Sequence, residues 1–196
     1  MSAIPVTPPA EPWSLPSRGR VGMLSLIIGE SGIFSIFVVA YIYYIGKSLS
    51  GPTPQQVLEV PFFNTVCLLS SSVTIWLSER QIEHGRIKAF AALWALTMAL
   101  GIEFIIGTGL EWHKLIYVDG LTIHTNLFGT TFYSLVGLHA THVVVGLLML
   151  TLVLLFTLTG HVNVRHTERI QVLALYWHFV DAVWVVVFTV VYIVGR

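Results

Sequence analysis

The chain has 196 residues, of which 55% are hydrophobic and 10% are charged. About a quarter of the residues are charged in an ordinary soluble domain, so this composition indicates a membrane protein. Ten basic residues balance ten acidic ones, which gives no reason to expect binding to nucleic acid. The only cysteine, Cys67, excludes an intrachain disulfide and a cysteine-based metal cluster.

The first twenty residues contain five of the eight prolines and end with Arg18 and Arg20. This composition predicts an extended arm, residues 1–20, that stops at the bilayer surface. No cleavable signal peptide is expected, because the first apolar run is too long for one. Residues 21–196 are predicted to form a single membrane domain.

Five apolar runs follow the arm, and each is long enough for the roughly 20 residues that a membrane-spanning helix needs. They are continuously apolar rather than alternating, which excludes transmembrane strands. The predicted fold is therefore an all-α membrane protein with five transmembrane helices. The spans lie at about 22–46, 61–79, 88–110, 127–159 and 170–194.

The positions of the basic residues predict the orientation, because short cytoplasmic segments are rich in Lys and Arg. On one side of the five spans lie Arg18, Arg20, Arg80, Arg86, Lys88, Arg165 and Arg169; on the other lie Lys47, Lys114 and Arg196. The amino terminus is therefore predicted to be cytoplasmic and the carboxyl terminus to lie outside. No repeat with inverted symmetry is visible, so the usual pattern of a secondary transporter is missing.

The first span carries an acidic residue, Glu30, well inside the predicted hydrocarbon region. A buried carboxyl group needs either a proton or a hydrogen-bonding partner, and one of the histidines is the expected partner. Gly29 and Gly32 flank Glu30, and small residues allow helices to approach closely. We therefore expect these glycines to pack against another helix and to shelter the carboxyl group, which could also contact lipid.

The third span carries Glu103 near its middle and Glu111 near its end. Their separation of eight residues places them within about 80° of each other on a helix. Trp112 follows directly and is typical of the aromatic belt at a membrane surface. Both acidic residues are candidates for buried structural or lipid-contacting groups.

The fourth span contains His139 and His142, which lie on one helix face at a spacing of three residues. A metal site that borrows His178 as a third ligand is conceivable, but nothing else in the sequence specifies one. Structural hydrogen bonding is the favoured interpretation. Gly137 and Gly146 of this span are candidate helix-packing residues.

The last span contains an ionisable pair, His178 and Asp181, inside an apolar run. Their spacing places them on one helix face, and Trp177, Asp181 and Trp184 follow one another along a neighbouring stripe. We expect His178 and Asp181 to form a hydrogen-bonded pair that packs against the fourth span. The tryptophans are candidate packing residues, and direct proton or metal chemistry is the less favoured alternative.

Two stretches of the chain closely resemble subunit III of the haem–copper respiratory oxidases. They are residues 129–146, with Gly-Thr-Thr-Phe-Tyr and His-x-x-His-Val, and residues 176–184, Tyr-Trp-His-Phe-Val-Asp-Ala-Val-Trp. Glu30 falls where that family has a buried glutamate, although the residues around it depart from the usual Ser-Glu-Leu-Met-Phe-Phe. The pair Glu111-Trp112 resembles a glutamate-aromatic pair of the family, and the resemblance extends from about residue 21 to the end.

The resemblance implies a non-redox accessory subunit in the cell inner (plasma) membrane. Long family members have seven helices, and short bacterial ones lack the first two, which leaves the amino terminus cytoplasmic. The haems and copper then belong to subunit I, this chain binds no cofactor other than phospholipid, and subunits I and II are its partners. Its implied role is to stabilise the catalytic subunit and to support access of lipid, protons and O2. The buried polar residues carried over from the family are Glu30, His139, His142, His178 and Asp181.

Four alternatives stay open at this stage. The electron donor of such a complex is either cytochrome c or a quinol, and the related accessory subunit of nitric oxide reductases has the same five-helix pattern. A stand-alone transporter would line an ion path with Glu30, Glu103 and Asp181. A membrane cytochrome would bind haem through the histidines.

Overall fold

A computed structural model describes residues 17–196, and every regular element in that part of the chain is helical. Residues 1–16 of the predicted arm lie outside the described residues. The first helix begins at Arg18, within the last three residues of the predicted arm. Ser17 caps that helix by accepting a hydrogen bond from the backbone N–H of Arg20 at 3.3 Å.

Long helices alternate with short connections along the described chain. The α-helices are α1 (Arg18–Tyr44), α2 (Pro54–Val57), α3 (Phe62–Glu83), α4 (Ile87–Tyr117), α5 (Leu127–Leu158) and α6 (Thr167–Phe188). A 3-10 turn, Val164–His166, leads into α6, and a π-helical turn, Thr189–Val194, extends it. The helix α2 is a single turn in the connection between α1 and α3, so the bundle consists of five long helices.

Within residues 17–196, four helices are long and apolar enough to cross a bilayer. They are α1, α4, α5 and the continuous segment Val164–Val194 that contains α6. The helix α3 has 22 residues but is less apolar, because it carries a run of serines and threonines. The all-helical membrane fold is therefore confirmed, whereas the fifth span and the orientation of the termini stay predictions.

The helices α5 and α6 hold the bundle together. The helix α6 packs against α1, α3 and α5, and α5 packs against α1, α4 and α6. The largest fully buried side chains are Trp94, Trp177 and Trp184. The indole N–H of Trp94 donates to the carbonyl of Leu150 at 3.0 Å, which ties α4 to α5. Tryptophan therefore provides both the apolar volume of the core and polar contacts between helices.

Two glycines make room for Trp177. A Cβ atom at Gly101 of α4 or at Gly146 of α5 would lie 2.8 Å from the indole ring. Neither position tolerates a side chain while the ring stays in place, since carbon atoms pack best at about 3.5–4.0 Å. At Gly137 of α5 a Cβ would lie 3.3 Å from the ring of Trp112, so this glycine also lies at a helix contact.

Gly29 and Gly32 of α1, which were expected to pack against another helix, lie in open surroundings. A Cβ atom at Gly29 or Gly32 would meet nothing within 4 Å. Within residues 17–196, therefore, neither glycine packs against another helix of this chain. The physical reason is their angular position: Glu30 and Phe34 face the bundle, whereas Gly29 and Gly32 are exposed on the opposite side of the helix.

Candidate functional site: polar contacts between the helices

A row of polar contacts joins α3 to α6, and we call it the α3–α6 polar seam. The α3 side consists of Thr65, Ser71, Ser72, Glu79 and Glu83, and the α6 side consists of Gln171, Trp177, His178, Asp181 and Trp184. The seam uses the polar residues that make α3 the less apolar helix. Each of these residues has its partner on the facing helix.

Asp181 lies at the centre of the seam and is only 2% exposed. Its Oδ2 atom accepts a hydrogen bond from the Ser72 hydroxyl group. The Ser71 hydroxyl lies 3.5 Å from the same atom but only 2.6 Å from the carbonyl of Leu68, so Ser72 is the principal donor. The expectation that Asp181 packs against the fourth span is wrong, because its hydrogen bonds go to α3.

His178 and Asp181 are joined through Ser72 rather than directly. The Nδ1 atom of His178 lies 3.1 Å from the Ser72 oxygen, and its Nε2 atom lies 4.0 Å from Oε2 of Glu79. The sequence analysis placed Glu79 at the end of the second span and did not predict this contact. The signal was the spacing of seven residues between Ser72 and Glu79, which places both on one face of a continuous helix.

Further hydrogen bonds extend the seam towards both ends of α3. At one end the amide of Gln171 donates to Glu83 at 2.8 Å. The indole N–H of Trp177 donates to Ser71 at 2.8 Å, and near the other end that of Trp184 donates to Thr65 at 3.2 Å. The structure thus turns the predicted stripe of Trp177, Asp181 and Trp184 towards α3.

A second polar contact joins α1 to α5. Oε2 of Glu30 lies 3.1 Å from Nε2 of His142, and Nδ1 of His142 donates to the carbonyl of Leu138 at 2.8 Å. Because that carbonyl can only accept, one more proton must lie between Glu30 and Nε2. The pair is therefore either an acid beside a neutral imidazole or a carboxylate beside an imidazolium. Both forms have no net charge, which suits a site inside a bilayer.

His139 lies among aromatic side chains and, unlike His142, does not contact Glu30. Its ring is fully buried and lies 4.9 Å from the ring of Trp184 and 5.7 Å from that of Phe104. Neither ring nitrogen has a hydrogen-bonding partner among residues 17–196. Over the same residues, no group of at least three His, Cys, Asp or Glu side chains has the arrangement of a metal site.

The acidic residues of α4 lie in different surroundings. Both carboxylate oxygens of Glu111 accept from the Tyr192 hydroxyl, at 2.9 and 3.0 Å, so Glu111 ties α4 to the turn that follows α6. Oε2 of Glu103 is buried without a partner in the described chain, and Cys67 of α3 lies beside that side chain. The sequence analysis missed Tyr192, because it lies within an apolar run.

These contacts define an all-helical membrane protein whose buried polar groups bind its own helices to one another. The chain belongs to the cytochrome c oxidase subunit III family, whose model matches residues 18–196. The resemblance found in the two sequence stretches is thereby confirmed.

Curated relatives named cytochrome c oxidase subunit 3 match most of the chain. The protein of Alkalihalophilus pseudofirmus is 31% identical over 192 residues, which cover 95% of this chain and 93% of the relative. That of a Bacillus species is 30% identical over 177 residues, with 89% and 85% covered. The protein of Oryctolagus cuniculus is 32% identical over 186 residues, which cover 88% of this chain but 68% of the relative. The bacterial relatives are thus matched along more of their length than the mammalian one.

Proposed function

We propose that this chain is the accessory subunit III of a proton-pumping haem–copper oxidase that reduces O2 to water with cytochrome c as electron donor. The observation that carries the proposal is the family match over residues 18–196. The names of the relatives favour cytochrome c over a quinol as the donor and O2 over nitric oxide as the substrate. In such a complex subunit I, with its haems and copper, and subunit II are the partners.

We further propose that the chain holds no redox centre of its own. Each imidazole inside the bundle is engaged separately: His139 with aromatic rings, His142 with α1, and His178 with α3. Ligands of one metal ion must converge on a point, and these rings are directed to different helices. Their contacts support a bracing role for the chain beside a catalytic partner.

The proposal includes α3 as a fifth span. Its 22 residues rise about 33 Å at roughly 1.5 Å per residue, which matches the ~30 Å of a hydrocarbon core. Polar side chains are tolerated at that depth where a neighbouring helix satisfies them, and α6 does so along the seam. Five spans would leave the amino terminus cytoplasmic and the carboxyl terminus outside the inner membrane.

A groove between the end of α5 and the start of α6 supports a role in binding phospholipid. Its volume is about 460 Å³, its walls include Leu152 and Phe156, and its rim carries His161, His166 and Arg169. Apolar walls suit acyl chains, and a basic rim suits a phosphate group. All three rim residues lie on the side that the charge distribution assigns to the cytoplasm.

The test is purification of the complex from its native membrane through an affinity tag on this chain. We expect haem absorbance in the complex, O2 consumption with reduced cytochrome c, and little turnover of nitric oxide. The isolated chain should show no haem absorbance. Nitric oxide turnover exceeding O2 turnover, or haem retained by the isolated chain, would contradict the proposal.

A further inference from the structure

The α3–α6 polar seam contains a chain of groups that all accept and donate protons. We propose that these groups form a proton relay, which carries a proton from Glu79 to a storage site at Asp181. His178 and Ser72 lie between the two carboxyl groups. The inference goes beyond the accessory role proposed above, because it gives this chain a proton-handling activity of its own.

When Asp181 is ionised, the hydrogen bonds of the proton relay can be donated in one direction only. A carboxylate only accepts, so the Ser72 hydroxyl donates its single hydrogen to Oδ2. The Ser72 oxygen must then accept from Nδ1 of His178, 3.1 Å away. In a neutral imidazole with a proton on Nδ1, Nε2 carries a free lone pair, and this atom faces Glu79. Every donor therefore points towards Asp181.

Proton transfer along the relay balances in atoms and electrons without any other reactant. The Glu79 carboxyl group gives its proton to Nε2 of His178, the Nδ1 proton moves to the Ser72 oxygen, and the original Ser72 proton moves to Oδ2 of Asp181. Each bond to hydrogen that breaks is replaced by another of the same kind, and no electrons change hands. Glu79 ends as a carboxylate and Asp181 as an acid.

In the product state the two hydrogen bonds of Ser72 are reversed. Protonated Asp181 donates to Ser72, Ser72 donates to Nδ1, and Nε2–H donates towards the Glu79 carboxylate. The contact between Nε2 and Oε2 is 4.0 Å, about 1 Å longer than a hydrogen bond. Transfer from Glu79 therefore requires its side chain to move about 1 Å closer to Nε2, so the position of Glu79 controls whether the proton can pass.

The burial of the groups makes Asp181 a storage site rather than part of a through-path. The side chains of Glu79 and His178 are 16% and 35% exposed, whereas Asp181 is 2% exposed. Beyond Asp181 the indole of Trp177 fills the core, and the indole N–H can only donate. Oδ1 of Asp181 has no partner among the described residues. Protons thus enter and leave from the side on which Glu79 and His178 lie.

Other titratable groups near this part of the bundle are not part of the proton relay. Glu83, one helical turn beyond Glu79, is bonded to Gln171. Glu103 and Cys67 lie together between α4 and α3, and His139 lies against Trp184. None of these residues is bonded to Ser72, so the route through Ser72 is separate from them.

The test uses the purified complex and follows the infrared carbonyl stretch of protonated carboxyl groups after transfer from H2O to D2O. The band of Asp181 is identified as the one that the Asp181→Asn variant lacks, at a pH at which Asp181 is protonated. Ser72→Ala breaks the route, and Ser71→Ala is the control, because Ser71 contacts Asp181 and the indole of Trp177 but not His178. We expect Ser72→Ala to slow exchange at Asp181 at least about tenfold, a barrier increase of about 1.4 kcal/mol.

Further variants separate a proton route from a purely structural contact. Ser72→Thr keeps the hydroxyl group and should exchange at close to the rate of the unmodified complex, as should Ser71→Ala. Glu79→Gln removes the entry group and should slow exchange as Ser72→Ala does. Unchanged exchange in Ser72→Ala, equal slowing in Ser71→Ala, or no band lost in Asp181→Asn would overturn the inference. The result is independent of the electron donor, so failure here leaves the proposed function standing.

Discussion

Replacing Gly146 with alanine tests the packing around Trp177. The new Cβ would lie 2.8 Å from the indole, about 0.7–1.2 Å closer than carbon atoms pack. The ring has little room to move, because Gly101 packs closely enough against it that even a Cβ there would lie 2.8 Å away, and Ser71 accepts a hydrogen bond from its N–H. Overpacking a close-packed core costs roughly 1–3 kcal/mol.

Gly29→Ala is the matched control for this substitution. Alanine is more favourable than glycine in a helix by about 1 kcal/mol, and this gain is common to both variants. The Cβ at position 29 meets nothing within 4 Å in the described chain. The difference between the two variants therefore isolates the packing cost, and we expect Gly146→Ala to be less stable than Gly29→Ala by about 1–3 kcal/mol.

The assay is reversible unfolding of the purified full chain in mixed micelles with increasing dodecyl sulfate, followed by far-ultraviolet circular dichroism. Tryptophan fluorescence should report the same transition, since three indoles are buried in the core. Equal stability of the two variants would refute the packing described around Trp177. A Gly29→Ala variant that unfolds as early as Gly146→Ala would refute the exposed position of Gly29.

Three further outcomes are expected. Asp181→Leu should weaken the joint between α3 and α6 by about 1–2 kcal/mol, seen as faster loss of this subunit during purification; unchanged retention would show that the contact is not structural. Glu30→Ala leaves Nε2 of His142 without its partner and should shorten the active lifetime in oxygen-consumption traces while sparing the initial rate; unaltered inactivation would count against a bracing role. The hydrogen bond from Lys114 lowers the pKa of Glu59, so the contact stabilises the fold above the unfolded pKa and is lost as the pH falls through the folded value. Lys114→Ala should raise the Glu59 pKa in a nuclear magnetic resonance titration, and an unmoved pKa would contradict this cause.

The sequence predicted the helices better than it predicted their faces. Apolar runs predict α1, α4, α5 and α6 because each run is long enough to cross the hydrocarbon core of a bilayer. The run at 61–79 stops at the first charge, whereas α3 continues to Glu83. It continues because charged and polar groups at that end of the helix find partners on α6, and a count of apolar residues does not include such partners.

Partners across the bundle depend on how the helices are rotated about their axes. The sequence indicated that Glu30 needs a proton or a hydrogen-bonding partner such as a histidine, and the structure places His142 beside it, 112 residues away. It linked His178 to Asp181 by spacing, yet both are bonded to Ser72, a residue with no distinguishing pattern. Gly29 and Gly32 of α1 make no helix contact within the described residues, because small size permits close approach but does not determine which side of a helix is covered.

The most direct test of the account is to identify what accompanies this chain in its native membrane. A tagged chain, captured with its partners and analysed by mass spectrometry and metal content, should bring down a haem–copper catalytic subunit in equal amount. After the subunits are separated, iron and copper should remain with that partner. Recovery of a solitary chain, or of iron or copper bound to its own side chains, would contradict the account.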